Sequence, residues 1–214
     1  MSKSLRMQTV LVLASAATLT LSSATVVSAA EDPPPPDSGE EVAWPPADTD
    51  GEWLAVPEEQ SPDFTVDGCG STLQVSAGDV NEAEYQAMEQ ADGTIRVEYR
   101  GETTTDITRE SDGAMIDELD TGGPGHEVYS PDGLTVVFSS DGPSIILAFD
   151  EVEAAVFAEQ AGLPPIFYYE EGNFTERVLF SADPEAATIE SAEVLTDTIR
   201  GAADVCDLLD DVAH

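Results

Sequence analysis

Between residues 94 and 100 the chain reads "TIRVEYR", where Ile95, Val97 and Tyr99 alternate with Thr94, Arg96, Glu98 and Arg100. A period of two places these sets on opposite faces of a strand. Short alternating or β-branched runs recur in "ETTTDITRE" (102–110), "AMIDEL" (114–119), "LTVVFSS" (134–140) and "SIILAF" (144–149). Turn signals punctuate them: "VDG" (66–68), "ADG" (91–93), "SDG" (111–113), "PDG" (131–133) and "SDG" (140–142). Asp-Gly supplies the positive φ that tight hairpin turns demand. Strands at this spacing predict a mainly β protein, an antiparallel β-sandwich or barrel-like domain with one or two short helices. The unequal spacing of the DG pairs speaks against a repeat architecture.

Further along, the period changes. "EVEAAVFAEQA" (151–161) predicts a helix capped by Asp150, with Glu153 at the capping-box position and Gly162 and Pro164 ending it. "PIFYYEEGNFTERVLF" (165–180) reads as a hairpin around Glu171-Gly172-Asn173, and "ATIESAEVLTDTI" (187–199) as another strand. The tail "AADVCDLLDDVA" (202–213) predicts a short helix with Val205, Leu208, Leu209 and Val212 on its buried side.

The segment before the β pattern is of two kinds. Lys3 and Arg6, the apolar run "VLVLASAATLTL" (10–21) and a small-residue tail with Val27 and Ala29 at −3 and −1 predict a signal peptide over 1–29. The apolar run is shorter than the ~20 residues of a membrane span, so no membrane insertion is expected after cleavage. Residues 30–66 follow, rich in proline and acid and without a basic residue. That composition predicts a disordered linker leading to a β-rich domain over 67–214. Both tryptophans, Trp44 and Trp53, sit in this linker. Their apolar surface makes each a possible binding residue, either as a latch onto the chain's own domain or as a motif for another protein.

Charge narrows the partners. The chain carries 44 acidic and 7 basic side chains, a formal net charge of −37. Loss of Lys3 and Arg6 with the signal peptide leaves five arginines and no lysine. Such a chain is repelled by phosphate backbones and anionic lipid, which disfavours nucleic acid and membrane surfaces. An unknown protein or envelope component remains a possible partner, and oligomeric state is left open.

Candidate chemistry is sparse. There is no G-x-S-x-G, no HExxH and no Cys/His zinc set, so no catalytic residue, metal site or cofactor is assigned. "GGPGHEVYSPDG" (122–133) brings His126 near Ser130, and reads first as an exposed loop histidine. A Cys69–His126 pair would need a free thiol. "ADTDGEW" has two aspartates and a glycine but lacks the distant Glu of a calcium loop. Arg96 and Arg100 share a strand face with Glu98 and are read as ion-paired rather than as an anion site. Tyr168, Tyr169 and Phe174 cluster in one predicted hairpin. The two tyrosines are therefore possible binding residues, on opposite faces.

Two cysteines in an exported chain normally pair. Cys69 opens the first strand of the domain and Cys206 lies in its last helix, so an intramolecular disulfide is expected, ahead of an interchain bridge or a reactive thiol. With "CG" at the start, "GLPPIFYYEEGNFT" inside and "GAADVCDLL" at the end, the domain resembles a type of secreted, uncharacterised all-β protein of actinobacteria closed by an N-terminal/C-terminal cysteine pair. The resemblance implies a disulfide-closed β domain in an envelope or extracellular setting, and no activity. These readings together predict a secreted or envelope-associated acidic β domain with a non-catalytic binding or structural role. The alternatives are a small secreted hydrolase of the carboxylate-based, glycoside type, and a Ca²⁺-dependent adhesion or folding module.

Overall fold

The computed structural model describes residues 45–46, 48–57, 60, 63–182 and 188–213. The predicted signal peptide and Trp44 lie outside the described residues. Among those residues the alternating pattern becomes fourteen strands: β1 (Leu54–Ala55), β2 (Phe64–Gly68), β3 (Ser71–Asn81), β4 (Glu84–Glu89), β5 (Ile95–Arg100), β6 (Thr103–Arg109), β7 (Met115–Asp120), β8 (Gly125–Tyr129), β9 (Thr135–Asp141), β10 (Ser144–Leu147), β11 (Ile166–Tyr169), β12 (Asn173–Phe180), β13 (Ile189–Asp197) and β14 (Ala203–Asp204). Helix α1 (Glu151–Val156) continues as a π-helical turn, Phe157–Ala161, and α2 (Val205–Val212) closes the described chain. The fold is mainly β and sandwich-like, with three antiparallel sheets. Their strand orders are β1-β4-β5-β8-β9-β12-β13, β2-β3-β6-β7 and β10-β11-β14.

The sheets are linked by ribbons that bend. Asn81 pairs with Thr103 in the four-stranded sheet, and Glu84 pairs with Arg100 in the seven-stranded one. One antiparallel ribbon therefore keeps its register while it turns from sheet to sheet. Pairs Thr104↔Asp120 and Tyr99↔Gly125 carry a second ribbon across the same corner. Pairs Asp141↔Asn173 and Ser144↔Tyr169 carry a third, from the seven-stranded into the three-stranded sheet. Strands that switch sheets at bends are how sandwich corners are made.

Several turn readings change in this light. "ADG", "SDG" (111–113) and "PDG" do close the β4–β5, β6–β7 and β8–β9 hairpins. "VDG" does not: Asp67 and Gly68 lie within β2, and Cys69-Gly70, both at positive φ, make the turn to β3. "SDG" (140–142) is a corner between β9 and β10. The expected hairpin at Glu171-Gly172-Asn173 is a corner too: β11 pairs with β10 and β14, whereas β12 pairs with β9 and β13. The cause is that Gly142 N–H donates to the Gly172 carbonyl, tying two bends together instead of letting one reverse the chain.

Three cores follow. Leu73, Ile107, Ile145 and Ile166 pack with Val205 and Leu209 of α2, between the four- and three-stranded sheets. Tyr85, Val97, Tyr129, Phe138 and Val178 line one face of the seven-stranded sheet, with Ile95 and Tyr99 beside them as the alternation predicts. Phe157, Phe167, Tyr169 and Phe174 join the π turn to the corner, their rings meeting edge to face at 5.4–5.8 Å around Phe157. Asp150 caps α1, accepting from Val152 and Glu153 N–H, and Gly162 ends the π turn at φ 68°. On α2 the expected buried side is shorter than predicted: Val205 and Leu209 are buried, Leu208 is half-buried, and Val212 is exposed.

Cys69 and Cys206 form a disulfide across a separation of 137 residues, with Cα atoms 5.1 Å apart. Within the span read as linker, residues 48–57 lie along β4. Leu54 and Ala55 pair with Tyr85 and Glu84, and Thr49 N–H donates to the Ala87 carbonyl. β4 itself, "EYQAME", has helix-forming composition and no strand prediction; pairing on both sides, with β1 and β5, makes it a strand.

Candidate functional site

The corner of the bent ribbons holds a cavity of about 60 Å³, open to solvent on one side. Gly101, Gly122, Gly123 and Gly125 bring backbone close to its walls. A Cβ on Gly123 would stand 1.9 Å from the Asp141 carbonyl oxygen, so only glycine lets the second ribbon pass the third here. The volume suits a few waters or one polar group of a larger ligand.

Polar side chains line it, and the sheet alternation puts them there. Glu127 of β8 is fully buried among the tyrosines of the inner face. Its Oε2 accepts from Tyr99 Oη at 2.7 Å and from Tyr129 Oη. Burial and the Glu127 charge together push the Tyr99 phenol well above its ordinary pKa, so Tyr99 stays a protonated donor. Thr121 Oγ1 lies 3.2 Å from Thr103 Oγ1 and 3.0 Å from Thr105 Oγ1, a buried hydroxyl row. Ser140 Oγ donates to Ser144 Oγ at 2.9 Å, and the wholly buried Tyr169 donates to the Ser140 carbonyl at 2.8 Å. Burial raises the Tyr169 phenol to about 12.

At the mouth, Arg100 lines the cavity, pairs with Glu84 at 2.8 Å and stacks over the Trp53 ring at 4.0 Å. Trp53 is half-buried, and this cation–π contact ties it to the site. Tyr168 is half-buried against the core under α2, its phenol raised by burial. Tyr169 and Phe174 are core residues with almost no exposed surface, so the aromatic cluster read from sequence is no open stacking platform.

His126 is half-buried in β8 rather than exposed in a loop. Burial, with Arg96 second, lowers its pKa. Cross-strand register sets it between Glu98 of β5 and Ser139 of β9, an acid–imidazole–hydroxyl row on one sheet face. The row is not wired as a relay. Glu98 accepts from Arg96 at 2.8 Å, and Ser139 Oγ is held by Thr175 Oγ1 at 2.8 Å and Asn173 Nδ2 at 3.0 Å. Among the described residues no hydrogen bond joins His126 to a serine. Ser130 instead donates to Asp132 in the β8–β9 turn. Cys69 is oxidised, which removes the thiol a Cys69–His126 pair would need.

Two groupings of acids carry no signal in the sequence. Asp106, Asp117 and Glu118 bring carboxylate oxygens within 4.8 Å of one another, although Asp106 already accepts from Glu118 N–H, and Glu118 from Asp79 N–H and Thr104 Oγ1. Glu153 and Glu176 are both buried and lie outside the cavity. Pattern marked only Glu153 of the five, at the capping-box position, where its carboxylate accepts from Phe149 N–H instead of the cap residue Asp150; with 44 acids in the chain it could not single out the other four.

Comparison of the chain with protein-family models, with curated proteins and with solved structures finds no match. The functional reading therefore rests on the geometry.

Proposed function

We propose that this is an exported, non-catalytic binding domain whose corner cavity receives a hydrogen-bond-donating group of its ligand, an ammonium or a hydroxyl. The observation that carries the reading is the state of the cavity's polar groups. Glu127 is fixed by two phenols, the threonine hydroxyls bond one another, Ser140 bonds Ser144, and among the described residues no nucleophile of the cavity is coupled to a base. Such a lining recognises; it is not arranged to react. The disulfide and the signal-like N-terminus support export. A net charge of −37 steers cationic ligands toward the carboxylate and repels anionic ones.

The test is a thermal-shift and calorimetric screen of spermidine, a hexalysine peptide and neutral monosaccharides, at low and high salt. A saturable shift with one of these compounds, lost in Thr121→Val while the circular dichroism spectrum is unchanged, is expected. A salt-sensitive response to the polyamines assigns the ammonium; a salt-insensitive response to a sugar assigns the hydroxyl. Covalent labelling of Ser139 by a fluorophosphonate, abolished in His126→Ala, overturns the non-catalytic reading in favour of a hydrolase. Shifts that Thr121→Val leaves intact overturn the cavity as the site.

A further inference from the structure

Glu153 and Glu176 form a buried pair of acids with no ion pair to a cation among the described residues. Glu153 sits in the first turn of α1 and is 0% exposed; Glu176 sits in β12 and is 5% exposed. Glu153 Oε2 accepts from Phe149 N–H, just ahead of the helix. Glu153 Oε1 and Glu176 Oε2 are buried and meet no donor from the rest of the described residues. The two carboxyls are within hydrogen-bonding reach of each other. Two ionised carboxylates have no hydrogen to share, and burying both as anions costs several kcal/mol per charge. One proton resolves both problems, because a carboxylic acid donates to its neighbouring carboxylate.

The surroundings offer no substitute. On α1 and the π turn the other charged side chains are Asp150, Glu151 and Glu159, all acidic. Across β9 the partner of Glu176 is Phe138, and beyond it on β8 lies Glu127, already taken up by Tyr99 and Tyr129. Across β13 the partner is Val194. Next to Glu176 on β12, Arg177 is half-exposed and bound to Glu193 of β13. Of these described neighbours only Arg177 is cationic, and it is engaged by Glu193.

We infer that Glu153 and Glu176 hold a single proton between them, and that this proton is a pH-sensitive lock fastening α1 and the π turn to β12. Its loss sets two like charges against each other at a buried contact between helix and sheet, beside the bond that Val194 N–H of β13 donates to Gln160 Oε1. Phe157, the apolar anchor just beyond, would then be uncovered with the helix. Burial raises both acids, Glu153 to about 7 and Glu176 well above the ordinary range, with the neighbouring carboxylate adding to the shift of Glu176. An acid whose pKa is raised by folding stabilises fully below its unfolded value and loses that contribution as pH climbs through the folded value. The window is therefore from the ordinary glutamate range up through about pH 7 and beyond. Beyond Lys3 the chain has no lysine, the described residues include no free cysteine, and the pKa of His126 is depressed by burial, so few other groups change charge between pH 7 and 9.

The experiment follows the side-chain carboxyl ¹³C signals of the disulfide-intact protein from pH 4 to 9, with amide exchange of α1 measured at pH 6 and 8. Two glutamates titrating far above the rest are expected, together with an α1 opening constant that rises by up to about tenfold per pH unit, the limit for one proton. Glu176→Gln, whose amide donates permanently to Glu153, should flatten that rise while keeping α1 protected at pH 8. Should Glu176→Gln fail to fold, the wild-type titration decides alone: both signals finishing their change below pH 6 overturn the proposal. So does an α1 opening constant independent of pH. A rise that 5 mM Ca²⁺ or Mg²⁺ reverses assigns the pair to a metal instead of a proton, and overturns it as well.

Discussion

Gly123 shows how much one side chain can decide at the corner. Its missing Cβ leaves room for the carbonyls of Asp141 and Pro143, at 1.9 and 2.6 Å from where that atom would sit. Backbone of the third ribbon cannot yield as a flexible side chain would. Gly123→Ala should therefore cost about 3 kcal/mol or more, read as a lowered urea midpoint with an unchanged slope. Gly113, with nothing within 4 Å of its Cβ position, controls for the general effect of replacing a turn glycine, though its φ of 73° carries its own strain. At this scale the sequence was partly legible. Asp-Gly at 92–93 and 132–133 is a hairpin turn as read. Gly122-Gly123 and Gly142 are punctuation too, but a glycine that reverses a chain and one that lets a strand bend past another look alike in one dimension. The buried acids were illegible for a related reason. Glu127 and Glu176 are ordinary letters among many acids until a sheet face covers them, and Glu153 reads only as a capping residue until β12 covers it.

Elements were easier to name than to pair. Alternation in "TIRVEYR" and the apolar run in "LTVVFSS" settle that β5 and β9 are strands, and for β5 which residues face the core. Pairing is set elsewhere, as β11 and β12 show: consecutive in sequence, they enter different sheets. α2 carries a second lesson. Its apolar stripe predicts packing over its whole length, yet Val212 is exposed, because the last turn runs past the core formed by Val205 and Leu209. What holds the helix besides that core is Arg109 of β6. Its guanidinium, 9% exposed, bonds Asp112 at 2.7 Å and Asp210 at 2.6 Å. The bonds to Arg109 hold the Asp112 carboxyl below its usual range. Arg109→Met keeps the length and removes the charge. Amide exchange in the last turn of α2 should speed up severalfold, while Val205 and Cys206, anchored by core and disulfide, stay protected. Uniform protection across α2 in the variant would show that the ion pairs contribute nothing there.

For the whole molecule the controlling constraint is the Cys69–Cys206 bridge. It joins the β2–β3 turn to the start of α2 across 137 residues, so it encloses nearly all the described strands. Chain-entropy reasoning gives such a loop about 5 kcal/mol as an upper figure. Reduction should lower the unfolding free energy by up to that amount, read as a lower urea midpoint, and expose two alkylatable thiols, where the native protein exposes none. Full retention of stability on reduction would mean the three cores suffice without it. The sequence by itself determined the fold class, the faces of β5, the Asp150 cap of α1 and the cysteine pairing, because each depends on local periodicity, local backbone chemistry or a choice between only two residues. Only the tertiary structure decided where the ribbons bend, that the bends enclose a polar cavity, and that two of many glutamates meet in the interior. Those outcomes depend on which distant segments cover one another, and covering is what turns a common acid into a group that must find a proton or a partner.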